Sequence, residues 1–199
     1  FEIHCIDKSD KDAILCNDIH AKILMLRYFS EGDYMKATGN FLSYRDLPWG
    51  EVYYRQFYGR CIMRLAKTYG NRQDVFERLM EKLAGIRQKY GDVSYEFEVF
   101  RELKLCFILW SGDEEFPPSA QILFSDNFPM AFAAEDVAYL GDVILDYMKQ
   151  EEKDIVDIVG RKLTKNKLKI SKALCVQMVR NAGANFELLS SDTDKLIAY

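Results

Sequence analysis

Three consecutive carboxylates, Asp113, Glu114 and Glu115, follow an apolar run that ends at Trp110. They precede a proline pair that leads into a second apolar run closed by Asp126. On an extended chain Asp113 and Glu115 point the same way, and Asp126 joins them if the runs on either side of the prolines are neighbouring strands. Such a set of hard oxygen ligands suits Mg²⁺ or Ca²⁺. Equally, it suits one carboxyl whose ionisation is disfavoured by like charges and which then works as a general acid or base. Trp110, Phe116, Phe124 and Phe128 would supply a dry wall. The plain alternative is a solvated turn whose acids keep an edge strand from pairing.

A second constellation is Tyr44-Arg45-Asp46-Leu47-Pro48-Trp49-Gly50, which leads into a helix whose free N–H groups attract anions. Arg45, with Arg55 or Arg60, could clamp a carboxylate or phosphate bidentately. Here the plain alternative is a structural pair between Arg45 and Asp46 or the acidic turn, with Trp49 as a core anchor. If Arg45 pairs with Glu114 or Glu115, the two turns build one site. The catalytic candidates are then Asp113, Glu114 and Glu115, and the ligand-binding candidates are Arg45, Asp46, Trp49, Trp110 and Asp126.

Other chemistry is poorly supplied. Cys16 and His20 stand four apart, but His4 and His20 are the only histidines, so a metal site is not expected. The same scarcity disfavours Ser-His or Cys-His nucleophilic chemistry, and no Gly-rich phosphate loop occurs. Tyr53, Tyr54, Tyr58 and Tyr69 could line a flat aromatic cofactor, although such stripes are more often core. No particular cofactor follows from these residues.

The elements that must position these groups are legible as periodicities. Phe1–Ile6 reads as a short strand, followed by a charged turn to Asp12. From Ala13 to about Ser30, Leu15, Ile19, Ile23, Leu26 and Phe29 recur at helical spacing, predicting that this face packs on the sheet, with Gly32 as the stop. Phe41–Tyr44 is extended. Tyr54, Tyr58, Cys61, Leu65 and Tyr69 mark the next helix, with Arg60, Arg64 and Lys67 on another face and Gly70 closing it. Asn71 is the expected N-cap of a helix carrying Phe76, Leu79, Met80 and Leu83. Val93–Phe100 alternates and Leu103–Trp110 is uniformly apolar, so a hairpin near Arg101-Glu102 pairs them, and Ala120–Phe124 adds a neighbour. Val137, Leu140, Ile144 and Met148 face inward on a helix with acids at its start.

From Lys149 to Arg180 nine basic residues stand against four acids. Two helices are expected there, one with Ile155, Val156, Val159 and Leu163 inward, the other with Leu174 and Met178 inward. Their basic faces offer a protein partner a docking surface.

With 199 residues, 49% of them hydrophobic and 29% charged, the chain suits one globular domain with an appendage: residues 1–150 as the domain and 151–199 as a helical C-terminal extension. No apolar run approaches the ~20 residues that span a bilayer, so no membrane association is expected. A net charge of −4 argues against general nucleic-acid binding. Five scattered cysteines, with no CxxC pair, fit reduced thiols and a cytoplasmic location, and no signal-peptide pattern occurs. The chain begins at Phe1, so upstream residues are expected.

LRYFSEG near Leu26, LSYRDLPWGEVYYRQFYGRC from Leu42, and WSGDEEFPPSAQILFSDNF from Trp110 with the following AEDVAYLGD resemble an uncharacterised family of single-domain proteins of anaerobic bacteria and archaea. That family is named only as a domain of unknown function. In some relatives the domain follows a four-cysteine iron–sulfur segment, which implies proximity to redox or corrinoid metabolism; this chain shows no such segment. The expected fold is α+β, a mainly antiparallel sheet with packed helices. The expected function is a binding or accessory module with a pocket between the two turns, for a small polar or metallo-cofactor ligand. The alternatives are an enzyme using the acidic turn with Arg45 orienting an anionic substrate, and a protein-interaction module working through the basic C-terminal helices.

Overall fold

Alternation of apolar residues over two adjacent eight-residue runs builds the centre of the molecule. A computed structural model describes residues 18–33, 35–165 and 171–181. The predicted Phe1–Ile6 strand, the charged turn after it, Leu15, Cys16 and the chain after residue 181 lie outside the described residues. Strands β1 (Phe41–Ser43), β2 (Ile86–Arg87), β3 (Val93–Phe100), β4 (Leu103–Trp110) and β5 (Ser119–Ser125) form one antiparallel sheet in the order β1-β5-β4-β3-β2. The fold is α+β, and the hairpin turns at Arg101-Glu102 as the pattern predicts. β4 is uniformly apolar because it is the central strand: Leu105, Phe107 and Leu109 are buried on the helix-covered face, and Cys106 and Ile108 on the other. β2 is only two residues long, too short for alternation to reveal.

Helix α1 (Ile19–Glu31) begins at Asp18, whose carboxylate accepts from Ala21 N–H at 2.9 Å, and stops at Gly32. Its orientation reverses the expectation. Ala21 and Leu24 are the buried residues, whereas Ile19, Ile23 and Leu26 are exposed and Phe29 is 80% exposed. Two contacts fix this rotation: Arg27 reaches Asp136 at 2.5 Å, and the Tyr28 ring stacks on Phe100 at 4.9 Å.

The chain then runs helically from Gly50 to Tyr69. This stretch comprises α2 (Gly50–Phe57), one wider π turn (Tyr58–Ile62) and α3 (Met63–Tyr69). Phe57, Cys61, Leu65 and Tyr69, spaced by four, are all buried. An α-helix drifts 40° per four residues, so a stripe of that spacing would rotate off the sheet, and the wider turn absorbs the drift. Phe57 thus takes the inward place expected of Tyr58, which is exposed. Helix α4 (Gln73–Lys82) buries Val75, Phe76, Leu79 and Met80; Arg72 sits at its N-cap, because the Asn71 side chain is engaged elsewhere.

After the short α5 (Phe128–Ala131), α6 (Ala134–Lys165) runs through position 150 without interruption for ~48 Å. It replaces the two separate helices expected before Lys165. Helix α7 (Lys172–Asn181) packs back on it, burying Cys175 and leaving Leu174 exposed. The side chains of Ile155, Val159 and Leu163 lie outside the described set.

Gly141 of α6 meets Cys61 at the π turn. A Cβ on Gly141 would stand 2.7 Å from the Cys61 sulfur, which itself donates to the Ala138 carbonyl at 3.6 Å. Burial pushes the Cys61 thiol up to about 12, so it stays a neutral packing group. Gly141→Ala is expected to cost about 1–3 kcal/mol by overpacking. Combined with Cys61→Ala the same change should become stabilising, since alanine is the better helix former. Urea titrations of both single variants and the double variant measure this coupling, and additive effects would contradict the contact.

Candidate functional site

The turn before α2 is built around a buried tyrosine. Tyr44 stacks on Phe57 with ring centres 4.0 Å apart, and its hydroxyl donates to the Ala134 carbonyl at 2.7 Å. Burial pushes its pKa well up, so the hydroxyl remains a donor. Asp46 accepts from the Ser43 hydroxyl at 2.7 Å and the Ser43 N–H at 2.8 Å, which holds its carboxyl below the usual range. Leu47 is buried, and Gly50 donates to the Leu47 carbonyl at 2.8 Å. A Cβ at Gly50 would collide with the Tyr44 carbonyl oxygen, so only glycine lets the helix start this close.

Between these fixed points Trp49 takes a left-handed conformation, φ 64° and ψ 6°, and is 77% exposed. The core-anchor expectation is therefore corrected: the turn buries Tyr44 and Leu47 and turns the indole outward. Val52 is 67% exposed beside it. A shallow hollow of about 420 Å³ is lined by Trp49, Val52, Tyr53, Ala133, Ala134 and Glu135. The Tyr53 hydroxyl is bonded to Glu135, which raises its pKa.

Arg45 does not reach the acidic turn. Its guanidinium lies 3.9 Å over the Tyr54 ring, with Nε 3.5 Å from Glu51. The reason is topological. The 44–50 turn precedes Gly50, while the acidic turn packs on Gly70 through Pro118, so a 20-residue helical stretch of ~30 Å separates them.

The acidic turn is firmly held yet solvated. Asp113 accepts from the Phe116 N–H at 2.7 Å and the Glu115 N–H at 2.9 Å, bonds that hold its carboxyl below the usual range. Ser111 donates its N–H to Asp92, and Gly112 donates to Asn71. Asp113, Glu114 and Glu115 are exposed, Phe116 is 67% exposed, and Trp110 is on the surface. The expected dry wall is absent, because Phe124 and Phe128 belong to the core at the other end of β5. Asp126 lies there too: in a hairpin, the residue after the second strand is farthest from the turn before it. Its carboxylate accepts from the Thr38 hydroxyl and, at 3.0 Å, from the Thr38 N–H. Among the described residues no group of three or more His, Cys, Asp or Glu could hold a metal. His20 stacks on Tyr139 at 5.1 Å.

What the sequence reading missed is a polar seam between the 50–82 helices and α6. Arg60 pairs with Asp142, Arg64 with Asp146 at 2.5 Å, Arg72 with Glu152, and Lys82 with the buried Glu151 at 3.0 Å. Arginines at 60 and 64 and aspartates at 142 and 146, both spaced by four, were the available signal. A groove of about 640 Å³ lies between α6 and α7 and mixes Asp18, Asp146 and Glu152 with Lys149 and Lys153.

Fold and surface together define a compact α+β unit that displays an aromatic turn. The chain belongs to the family described as Domain of unknown function (DUF3786), whose model matches residues 3–147. No curated protein and no solved structure matches it. No helix among the described residues is long and apolar enough to cross a membrane.

The Thr38 bonds hold the Asp126 carboxyl below the usual range. A depressed folded value contributes stability that is complete above the unfolded-chain value, about 3.9, and is lost as pH falls through the folded value. Asp126→Asn should therefore destabilise the protein at neutral pH, with the gap closing in acid. Urea midpoints from pH 7 to pH 2.5 measure this; a gap independent of pH would contradict the assignment.

Proposed function

We propose that this chain is a non-catalytic binding module that recognises a protein partner through the turn carrying Trp49. The observation that carries this reading is a tryptophan held at positive φ with most of its surface in water. A non-glycine residue in the left-handed region costs roughly 1–2 kcal/mol. The turn needs only the backbone there, so glycine would serve the fold at least as well, and the indole is retained for what it touches outside. Tryptophan is the residue most enriched among binding hot spots, and the hollow between Trp49 and Ala133 takes an apolar side chain of a partner.

The preorganised turn supports the same reading. Its anchors, Tyr44, Leu47 and Gly50, are all buried, so the indole is presented without ordering a loop on binding. The buried free thiols of Cys61, Cys106 and Cys175 suit a reducing cytoplasmic compartment.

Trp49→Gly tests this reading. The variant should unfold at the same or higher urea concentration than the parent, with a gain of up to about 1 kcal/mol. Peptides selected from a displayed library on the parent should carry an apolar anchor, perturb the amide signals of Val52 and Ala133, and bind the variant at least about 10-fold more weakly. A loss of about 2 kcal/mol or more in Trp49→Gly, or peptides that bind both chains equally, would contradict the proposal.

A further inference from the structure

The hollow beside Trp49 is apolar along most of its wall, but one end is charged. Of its lining residues only Glu135, in the first turn of α6, bears a charge. Tyr53 lines the same hollow from α2, and its hydroxyl donates to the Glu135 carboxylate. That bond between two lining residues holds the carboxylate at the edge of the hollow. A carboxylate has about four acceptor positions, and one phenol fills a single one of them. Glu135 is exposed, so the remaining positions are within reach of a donor from outside.

The cations of the neighbourhood are engaged elsewhere. Arg27 of α1 feels the Glu135 charge, but its guanidinium pairs with Asp136 at 2.5 Å. Arg45 is held over the Tyr54 ring beside Glu51, and Arg60 pairs with Asp142. None of these three, nor the exposed Arg55 of α2, lines the hollow. A partner anchored on Trp49, Val52 and Ala133 therefore meets a carboxylate, with no lining cation, where it leaves the apolar surface. Lysine and arginine suit such an edge, because their stems lie along apolar surface while the charged head stays in water. An acidic partner would face the like charge of Glu135.

We infer that the partner recognised at this turn carries its apolar anchor in a basic segment, with a lysine or arginine close to the anchor pairing with Glu135. The inference rests on the reading of Trp49 as the residue that receives the anchor, and it adds the charge of the partner. Peptides selected from a displayed library on the full chain are the probe. They should carry lysine or arginine within about four residues of the anchor, the reach of a short extended segment across the hollow. An exposed pair is worth a factor of about 2–5 in affinity, so changing that basic residue to glutamine should weaken binding about 3-fold. Changing it to glutamate should weaken binding at least about 10-fold, since attraction then becomes repulsion. Glu135→Gln keeps an acceptor for Tyr53 and should unfold at the same urea concentration as the parent. On that variant the lysine, glutamine and glutamate forms of one peptide should bind within about 2-fold of one another. Salt at about 1 M, where the Debye length is about 3 Å, should likewise remove the preference while binding still depends on Trp49.

The two readings fail differently. Peptides that bind Trp49→Gly as well as the parent overturn the Trp49 surface and this inference with it. Peptides that need Trp49 but carry no basic residue near the anchor overturn this inference alone. So does a preference for lysine over glutamate that persists in Glu135→Gln.

Discussion

The Tyr44 side chain is the constraint on which the arrangement of this molecule depends. Its ring is stacked flat on Phe57 and its hydroxyl is spent on the Ala134 carbonyl. One residue directly after β1 thereby fixes the middle of the 50–69 helical stretch and the start of α6. Phe57 in turn packs near Phe124 of β5, with ring centres 5.8 Å apart, so the tyrosine connects both helices to the sheet. Because Gly50 must pass against the Tyr44 carbonyl, the path of residues 45–49 is left little freedom. The outward, left-handed Trp49 follows from that geometry: the chain has to reverse within a few residues between two buried points.

The seam between the 50–82 helices and α6 has a different part. The Arg60 and Arg64 pairs reach water and contribute roughly 0–1 kcal/mol each, so they do not dominate stability. Their value lies in register. Arg60 and Arg64 against Asp142 and Asp146 match only when α6 lies at one height along the preceding helices, and Arg72 and Lys82 repeat the choice farther along. The apolar contact of Gly141 on Cys61 marks the same height from inside. Long α6 is thus positioned by agreement between a polar edge and a packed interior.

Much of the sheet was legible because alternation is a direct consequence of strand geometry. Tyr95 and Phe97 alternate, β4 is apolar throughout, and the reversal at Arg101-Glu102 separates them. Helix faces were less legible. α1 is apolar on both sides, with Ile19, Ile23, Leu26 and Phe29 opposing Ala21, Leu24 and Tyr28, so periodicity could not choose, and the choice fell to Arg27 and Tyr28 through distant partners. The core-anchor reading of Trp49 failed because large aromatics are usually inside, and nothing local reveals a left-handed residue that is not glycine. The expected meeting of Arg45 with Glu114 or Glu115 failed for a simpler reason: two turns recognised separately carry no information about the helix that holds them apart.

The central claim is that the fold presents Trp49 to solvent on a rigid turn, and tryptophan fluorescence tests it directly. The chain has two tryptophans, Trp49 and Trp110, so in Trp110→Phe the emission reports the first alone. The account predicts emission close to that of the indole in water and full access to a neutral quencher, with slow depolarisation showing that the exposed ring moves with the whole protein. A blue-shifted, quencher-protected emission would mean that Trp49 is buried, and rapid depolarisation that the turn is not rigid; either would contradict the account.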